Sequence, residues 1–411
     1  MRCHPSNLLT CSVILFLSAC GAEIQEADHH FEIATENGVS VAMNTGGPRH
    51  EADLFSYQLV VELQEDEREE SFLARPSDFH MDERGWFYVP EHGDCRIAVF
   101  DSTGRYSHSI GREGSGPGEL RQNFYIVDLS DGIVTVSNPY LNRITRFTTE
   151  GELIEVLQAT RPSVFVNLTY SVGEDRFLSL GTEQTSPGSR VIRMRPFAFL
   201  HDAKGDTVAS VSTPWFDFGA YDRTDNVTYP VVFQPSASFA FQGGFGFFVT
   251  TGESPSIDVH DVSGQVVRRI DLGLEQVRTT AGDRVRLREY FNEEMSVEGV
   301  NERRIKSLAA RRDRGRISEY RPFWRAAQID DAGFIWLEVM EHPLDAKNAQ
   351  NHSLWRVVSP KGEYIGLTRR PPNSGQVMKG HLLTMYLDMK ARAIRLRVYR
   401  IIPAVNGLVY P

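Results

Sequence analysis

Asp82-Glu83-Arg84-Gly85-Trp86-Phe87-Tyr88-Val89, continued by Arg96-Ile97-Ala98-Val99-Phe100-Asp101 and Ser102-Thr103-Gly104-Arg105, is the stretch whose reading decides the fold. An acidic, glycine-containing turn leads into a run of aromatic and β-branched residues, and a second such run ends at a second turn. Residues of this kind suit half-buried strands, while Asp and Gly supply the backbone conformations that hairpin turns need. The pattern returns downstream. Ser130-Asp131-Gly132 precedes Ile133-Val134-Thr135-Val136, and Arg143-Ile144-Thr145-Arg146-Phe147 ends at Thr149-Glu150-Gly151-Glu152. Gly85 to Gly132 and Gly104 to Gly151 are each 47 residues apart, so two independent landmarks share one period. A period in this range marks a repeat architecture.

Later units are looser. Glu174-Asp175-Arg176 precedes Phe177-Leu178-Ser179-Leu180, with a turn at Asp202-Ala203-Lys204-Gly205-Asp206. Gly243-Gly244 precedes Phe245–Val249, and Ile257–Asp261 turns at Ser263-Gly264-Gln265. Asp330–Gly333 precedes Phe334-Ile335-Trp336-Leu337, and Leu354–Val358 turns at Pro360-Lys361-Gly362-Glu363. A sheet of four short strands cannot bury both of its faces alone. Radial stacking buries each face against a neighbouring sheet, which is a β-propeller. A sixth unit, Gln376–Asp388 with Ile394–Ile401, supplies only about three strands, whereas Ser56–Leu63 stands unassigned before the first unit. Pairing the two completes the last blade and closes the ring. The expectation is an all-β, six-bladed propeller over residues 51–411, with seven blades the neighbouring count. Gly264 and Gly362 lie 98 residues apart. The excess falls at about 275–319, where Arg and Glu dominate around Val285, Leu287, Tyr290, Phe291, Met295, Ile305 and Leu308. This predicts two short amphipathic helices inserted between blades four and five, covering one rim or serving as a lid or docking element.

Ile110-Gly111-Arg112-Glu113-Gly114-Ser115-Gly116-Pro117-Gly118-Glu119-Leu120, just after Val99–Arg105, resembles the six-bladed β-propeller lipoproteins related to NHL-repeat proteins. In that family a strand ending in "IG" runs into a "GxGPGEF"-like loop at the end of the first complete blade. Here Leu120 replaces the final Phe. The resemblance takes in the leading strand, the charged insertion and the closing Leu396-Arg397-Val398-Tyr399-Arg400. It implies a fold and an envelope location but no activity, so no catalytic residue is carried over. Physically, Gly111, Gly114, Gly116 and Gly118 make a sharply folded loop. Its exposed amides, with Arg112, form a candidate anion nest, while Glu119 is placed to cap a turn or to bond those amides itself.

Arg2 and His4 precede a mostly apolar stretch, Leu8–Leu17, which is too short for a transmembrane helix and suits a signal-peptide core. It ends in Leu17-Ser18-Ala19-Cys20, the pattern of a bacterial lipobox, so residues 1–19 read as a signal peptide and Cys20 as the site of lipidation. Acyl chains on Cys20 make the membrane the first expected partner. With Gly21 next, the expected location is the bacterial cell envelope, in the outer membrane, facing the periplasm or the surface. Residues 20–50 are polar and read as a tether. Of four cysteines only Cys20 and Cys95 remain after cleavage, so no internal disulfide is available. A net charge of −10 argues against a nucleic-acid partner.

His92-Gly93-Asp94-Cys95 offers three metal-ligand types, but no second cluster accompanies it. The sequence carries no nucleophile elbow, phosphate-loop lysine motif or HExxH. No metal, cofactor or catalytic residue is assigned. Trp215, Phe216 and Tyr221, beside Asp217, Asp222 and Asp225, form a candidate recognition loop for a sugar or peptide, or else a plug of rings at one end of the propeller. The expected function is a binding or scaffolding lipoprotein whose ligand is a protein, peptide or glycan. The alternatives are a metal-dependent lactonase-like hydrolase or lyase at the channel mouth, and a structural subunit of a surface complex.

Overall fold

The computed structural model describes residues 29–63, 71–158, 166–172, 176–185, 191–202, 204–222, 227–349, 352–372, 374–388 and 393–411. Residues 1–19, read as a signal peptide, and residues 20–28, read as the start of a tether with Cys20 at its head, lie outside them.

Three strands precede the first repeat: β1 (His30–Glu36), β2 (Val39–Thr45) and β3 (Phe55–Glu62). Blade one contains β4 (His80–Met81), β5 (Phe87–Glu91), β6 (Arg96–Phe100) and β7 (Tyr106–Ile110). Blade two contains β8 (Tyr125–Ser130), β9 (Ile133–Asn138), β10 (Arg143–Thr148) and β11 (Leu153–Gln158). Blade three contains β12 (Val166–Ser171), β13 (Arg176–Gln184), β14 (Val191–Asp202) and β15 (Thr207–Ser212). The long β14 also pairs with the hairpin β16 (Phe216–Asp222) and β17 (Val227–Pro230). Blade four contains β18 (Ser238–Gln242), β19 (Gly246–Thr250), β20 (Ser256–His260) and β21 (Val266–Asp271). Helices α1 (Ala281–Ser296) and α2 (Glu302–Arg314) follow, as the charged insertion predicts. Blade five contains β22 (Ala326–Ile329), β23 (Ile335–Glu338), β24 (Ser353–Val358) and β25 (Tyr364–Arg370), with α3 (Pro343–Asn348) between its middle strands. Blade six contains β26 (Ser374–Met378), β27 (His381–Asp388) and β28 (Ala393–Pro403), and β3 pairs antiparallel with β28 as its fourth strand. Six sheets therefore form the ring, closed by the two ends of the propeller sequence.

Strand alternation is what joins the blades. In blade one, Phe87, Val89, Ala98 and Phe100 point one way, against Leu383, Leu396 and Val398 of blade six. Tyr88, Ile97 and Val99 point the other way, against Ile126, Val134, Val136 and Phe147 of blade two. All seven blade-one side chains are at most 2% exposed, and burying each of the Phe, Ile and Val among them stabilises by roughly 1.5–3 kcal/mol. The turns repeat a second device. Asp101, Asp202 and Asp261 each accept backbone N–H bonds from residues two and four places on, and Thr148 and Ser359 cap the equivalent turns through their hydroxyls. Gly104 has φ +84°, and a Cβ there would lie 2.8 Å from the Glu62 carbonyl oxygen, so only glycine lets this turn seat on the preceding blade.

Residues 29–50 depart from the tether expectation. β1 and β2 form a hairpin through Asn37-Gly38, and β2 adds parallel to β21 at the outer edge of blade four. The alternation in Val39-Ser40-Val41-Ala42 is short, but Val41 and Ala42 are buried. Asn44 fastens the hairpin between blades four and five. Its Nδ2 donates to the carbonyls of Asp271 (2.7 Å) and Gly362 (3.0 Å), and its Oδ1 accepts from the Tyr364 amide (2.8 Å).

The insertion is a cap with its apolar side turned inward. Leu287, Phe291 and Leu308 pack with Phe233 of the connection between blades three and four. Thr280 and Asp283 form a capping box at the start of α1. Ion pairs Arg321–Asp283 and Arg286–Asp345 fasten the helix to the propeller and to α3. No helix among the described residues is long and apolar enough to cross a membrane.

Candidate functional site

The glycine-rich loop folds as its composition predicts, and its own carboxylate fills the nest. The Gly116 amide donates to Glu119 Oε2 (2.7 Å), while Arg112 donates to Oε1 through Nε (3.2 Å) and Nη2 (3.1 Å). The Gly116 amide, and after it the Arg112 guanidinium, hold the Glu119 carboxyl below the usual carboxylate range. A Cβ on Gly114 would lie 2.1 Å from that carboxylate, so the position has room only for hydrogen. Arg143 of β10 donates to the carbonyls of Ser115, Gly116 and Glu119, and Leu120 is fully buried between blades one and two. Gly111 and Gly118 make the two bends, each with φ +74°. The residues expected to cradle an anion therefore cradle Glu119, and the loop steers the chain from β7 to β8.

Trp215, Phe216 and Tyr221 do not form an exposed loop. Residues 216–222 are strand β16, Phe216 is buried, and Tyr221 pairs with Thr228 across the β16–β17 hairpin. Trp215 stays 36% exposed with the Arg195 guanidinium 4.9 Å from its ring centre, and Asp217 pairs with Arg193. Asp217 and Asp222 lie on β16, an inner strand held between β14 and β17, because β14 is long enough to pair beyond β15, and Asp225 lies outside the described residues.

His92–Cys95 is the tight turn between β5 and β6. His92 Nδ1 accepts from the Asn123 amide, and burial pushes the Cys95 thiol up in pKa. Among the described residues no three His, Cys, Asp or Glu side chains gather as a metal-binding group. Ser179 and His201 lie 2.8 Å apart with Thr169 beside them, but all three are buried inside blade three. His201 stacks on Phe177 (5.6 Å), and His260 repeats this on Phe247 (5.3 Å) in blade four. These histidines are packing pieces at equivalent register positions.

Two adjoining spaces carry the exposed chemistry, and no motif in the sequence marks them. The antiparallel order places the 1–2 and 3–4 turns of every blade on one face. There a cleft of about 660 Å³ lies over blades two to four, lined by Asp128, Arg146, Tyr170, Phe241, Gln242, Phe245 and the backbone of Gly243–Gly246. The Tyr170 ring sits 4.9 Å from Phe241. Arg146 pairs with Glu155 and reaches Ser171 Oγ (3.3 Å). The cleft shares Val127, Tyr170, Phe241 and Gln242 with the central channel, a space of about 390 Å³. All six blades line that channel, with Asp78, His80, Tyr125, Gln328 and Gln376 among its polar groups. Gln376 Nε2 donates to Asp78 Oδ2 (3.3 Å). Burial lowers His80 to about pKa 4, against the opposing pull of Asp78 and Asp128. Burial raises the Tyr170 and Tyr125 phenols. At neutral pH the lining thus presents an uncharged imidazole and protonated phenols, with the side chains of Asp78, Asp128, Gln328 and Gln376 beside aromatic faces. Such a surface hydrogen-bonds a polar ligand while stacking on its apolar side. Asp128, Arg146, Tyr170 and Phe241 come from different strands spread along the sequence, which is why no spacing reveals them.

Comparison with curated proteins returns no match. Among solved structures, a Bacteroides fragilis protein named as exported is similar at 10% identity over 87% of this chain and 98% of its own, with TM-score 0.47. A Bacteroides vulgatus protein shows 10% identity over 86% and 99%, with TM-score 0.46. Virginiamycin B lyase from Staphylococcus aureus shows 12% identity over 86% and 90%, with TM-score 0.35. Residues 68–175 match a protein-family model described as a 6-bladed beta-propeller. Together with the six sheets of the ring and the closing strand, that match identifies this chain as an all-β, six-bladed propeller.

Proposed function

We propose that this protein is an envelope lipoprotein, anchored through Cys20, whose propeller binds a short polar ligand of the glycan type. One observation carries the binding reading: the cleft over blades two to four sets its Tyr170–Phe241 aromatic pair among Asp128, Arg146 and Gln242, on a wall it shares with the channel. Its volume falls within the range of small-molecule sites. A sugar ring offers both an apolar face for Tyr170 and hydroxyls for the surrounding donors and acceptors. The cleft supports binding without assigning a reaction. The anchor is supported by Leu17-Ser18-Ala19-Cys20.

The test is titration calorimetry of the mature chain, carrying Cys20→Ala, against a panel of soluble di- to tetrasaccharides and short peptides. Binding of a saccharide that Tyr170→Ala weakens at least about tenfold is expected, since one stacked aromatic is worth roughly 1.4 kcal/mol or more. Saccharide binding unchanged in Tyr170→Ala would place the site elsewhere, and binding only of peptides would replace the ligand class. Mass spectrometry of the Cys20 peptide from cell envelopes tests the anchor, and an unmodified thiol would refute it.

A further inference from the structure

The helical insertion is the basic part of an acidic protein. Residues 278–325 hold 13 Lys and Arg against 8 Asp and Glu, in a chain whose net charge is −10. On α2, Arg303, Arg304 and Lys306 are exposed, and Ile305 between them is 36% exposed. Arg316 follows just beyond the helix, also exposed. Lys306 pairs with Glu302, whereas Arg303, Arg304 and Arg316 make no ion pair among the described residues. Val297, before α2, is 51% exposed. Cations interleaved with exposed apolar residues on a helix suit an anionic lipid interface, where headgroup charge meets the cations and the acyl boundary meets the apolar side chains.

The route of the chain points to the same surface. His30 pairs with Thr45. A Cβ on Gly273 would lie 2.1 Å from the Asn44 carbonyl oxygen and 3.4 Å from Thr45 Cα, so the chain enters the body beside the root of the insertion. Phe31 and Leu274 join one apolar cluster there. Eight residues lie between Cys20 and His29, nine steps of the chain. That length reaches at most about 30 Å, so a lipid on Cys20 holds this rim close to the bilayer. The insertion leaves β21 on the face opposite the hairpin turns that border the ligand cleft.

We infer that the α2 surface, with Arg303 and Arg304 in its first turn and Arg316 just past its last, docks on anionic phospholipid headgroups and turns the cleft away from the membrane. The inference rests on the anchor reading for its geometry, and its test needs no lipid on the protein. The mature chain carrying Cys20→Ala is sedimented with vesicles of phosphatidylcholine alone or with about a third phosphatidylglycerol, at low salt and at about 0.5 M salt. Preference for the anionic vesicles is expected, abolished by high salt. Combining Arg303→Glu, Arg304→Glu and Arg316→Glu should lower partitioning about a hundredfold without changing Tm, because the three side chains are exposed. Equal binding to both vesicle types, no binding to either, or a triple variant that binds like the parent would overturn the docking surface. The acyl mass on Cys20 is read separately, so an unlipidated thiol alongside intact vesicle preference removes the anchor and leaves the surface standing.

Discussion

Glu119 occupies a nest that composition alone presents as open. Glycines 114 and 116 leave space and amides for an anion, and the chain supplies the anion three residues later. Glu119→Ala is expected to lower Tm, with sulfate restoring part of the loss in the variant and not in the parent; a variant indifferent to sulfate would show that the nest collapses once emptied. His80 makes a different kind of prediction. Its folded pKa of about 4 lies below the ordinary value of about 6.5, so between those values the unfolded chain binds more protons. The stability tied to a neutral His80 is complete above about pH 6.5, declines as pH falls, and is lost by about pH 4. Burial lowers His92, His201 and His342 in the same direction. Tm should therefore drop between pH 6.5 and 4.5, less steeply in His80→Gln. An identical slope in that variant would remove His80 from the account. Glu119 was legible as one of two possibilities, and His80 was not, because its partners Asp78 and Asp128 belong to two blades.

Among elements, the hairpin β1–β2 and the insertion show how far local pattern reaches. Leu287 and Phe291 stand four residues apart on α1 and meet Leu308 of α2, and the helices form where the loss of strand chemistry placed them. The hairpin was hidden by polarity. Glu32, Thr35, Glu36, Ser40 and Asn44 suit an edge strand with one wet face, but the same composition also suits a tether. Its place depends on β21 offering an open edge, a fact that residues 30–45 do not contain. Asn44 decides the attachment, and Asn44→Ala should destabilise the protein by about 3 kcal/mol, since it strands the Tyr364 amide and two carbonyls in a buried seam. Chemical denaturation measures this, and a loss below about 1 kcal/mol would mean that the hairpin is held by strand pairing alone.

For the whole molecule, stability depends on joining the ends. Phe55 of β3, Trp336 and Phe334 of blade five and Tyr410 near the C-terminus meet in tilted and edge-on contacts at centroid distances of 5.0–5.9 Å. Asp330 Oδ2 accepts from both the Trp336 indole and the Tyr410 hydroxyl at 2.8 Å. Arg370, fully buried, lies between Trp336 and Trp355 at 4.3 and 3.9 Å. Truncation after Pro403 removes Tyr410 from this cluster and should reduce stability by roughly 3 kcal/mol. An unchanged denaturation midpoint would show that the β3–β28 ladder closes the ring without help. Repeat number, blade boundaries, the closing strand and the inserted helices were all set by sequence itself, because each follows from alternation, turn residues or helical spacing within a few dozen positions. The cleft, the channel, the hairpin on blade four and the filled glycine nest were decided only by tertiary structure. Each is made where residues from separate blades or turns meet, and radial stacking brings together side chains that no local pattern relates.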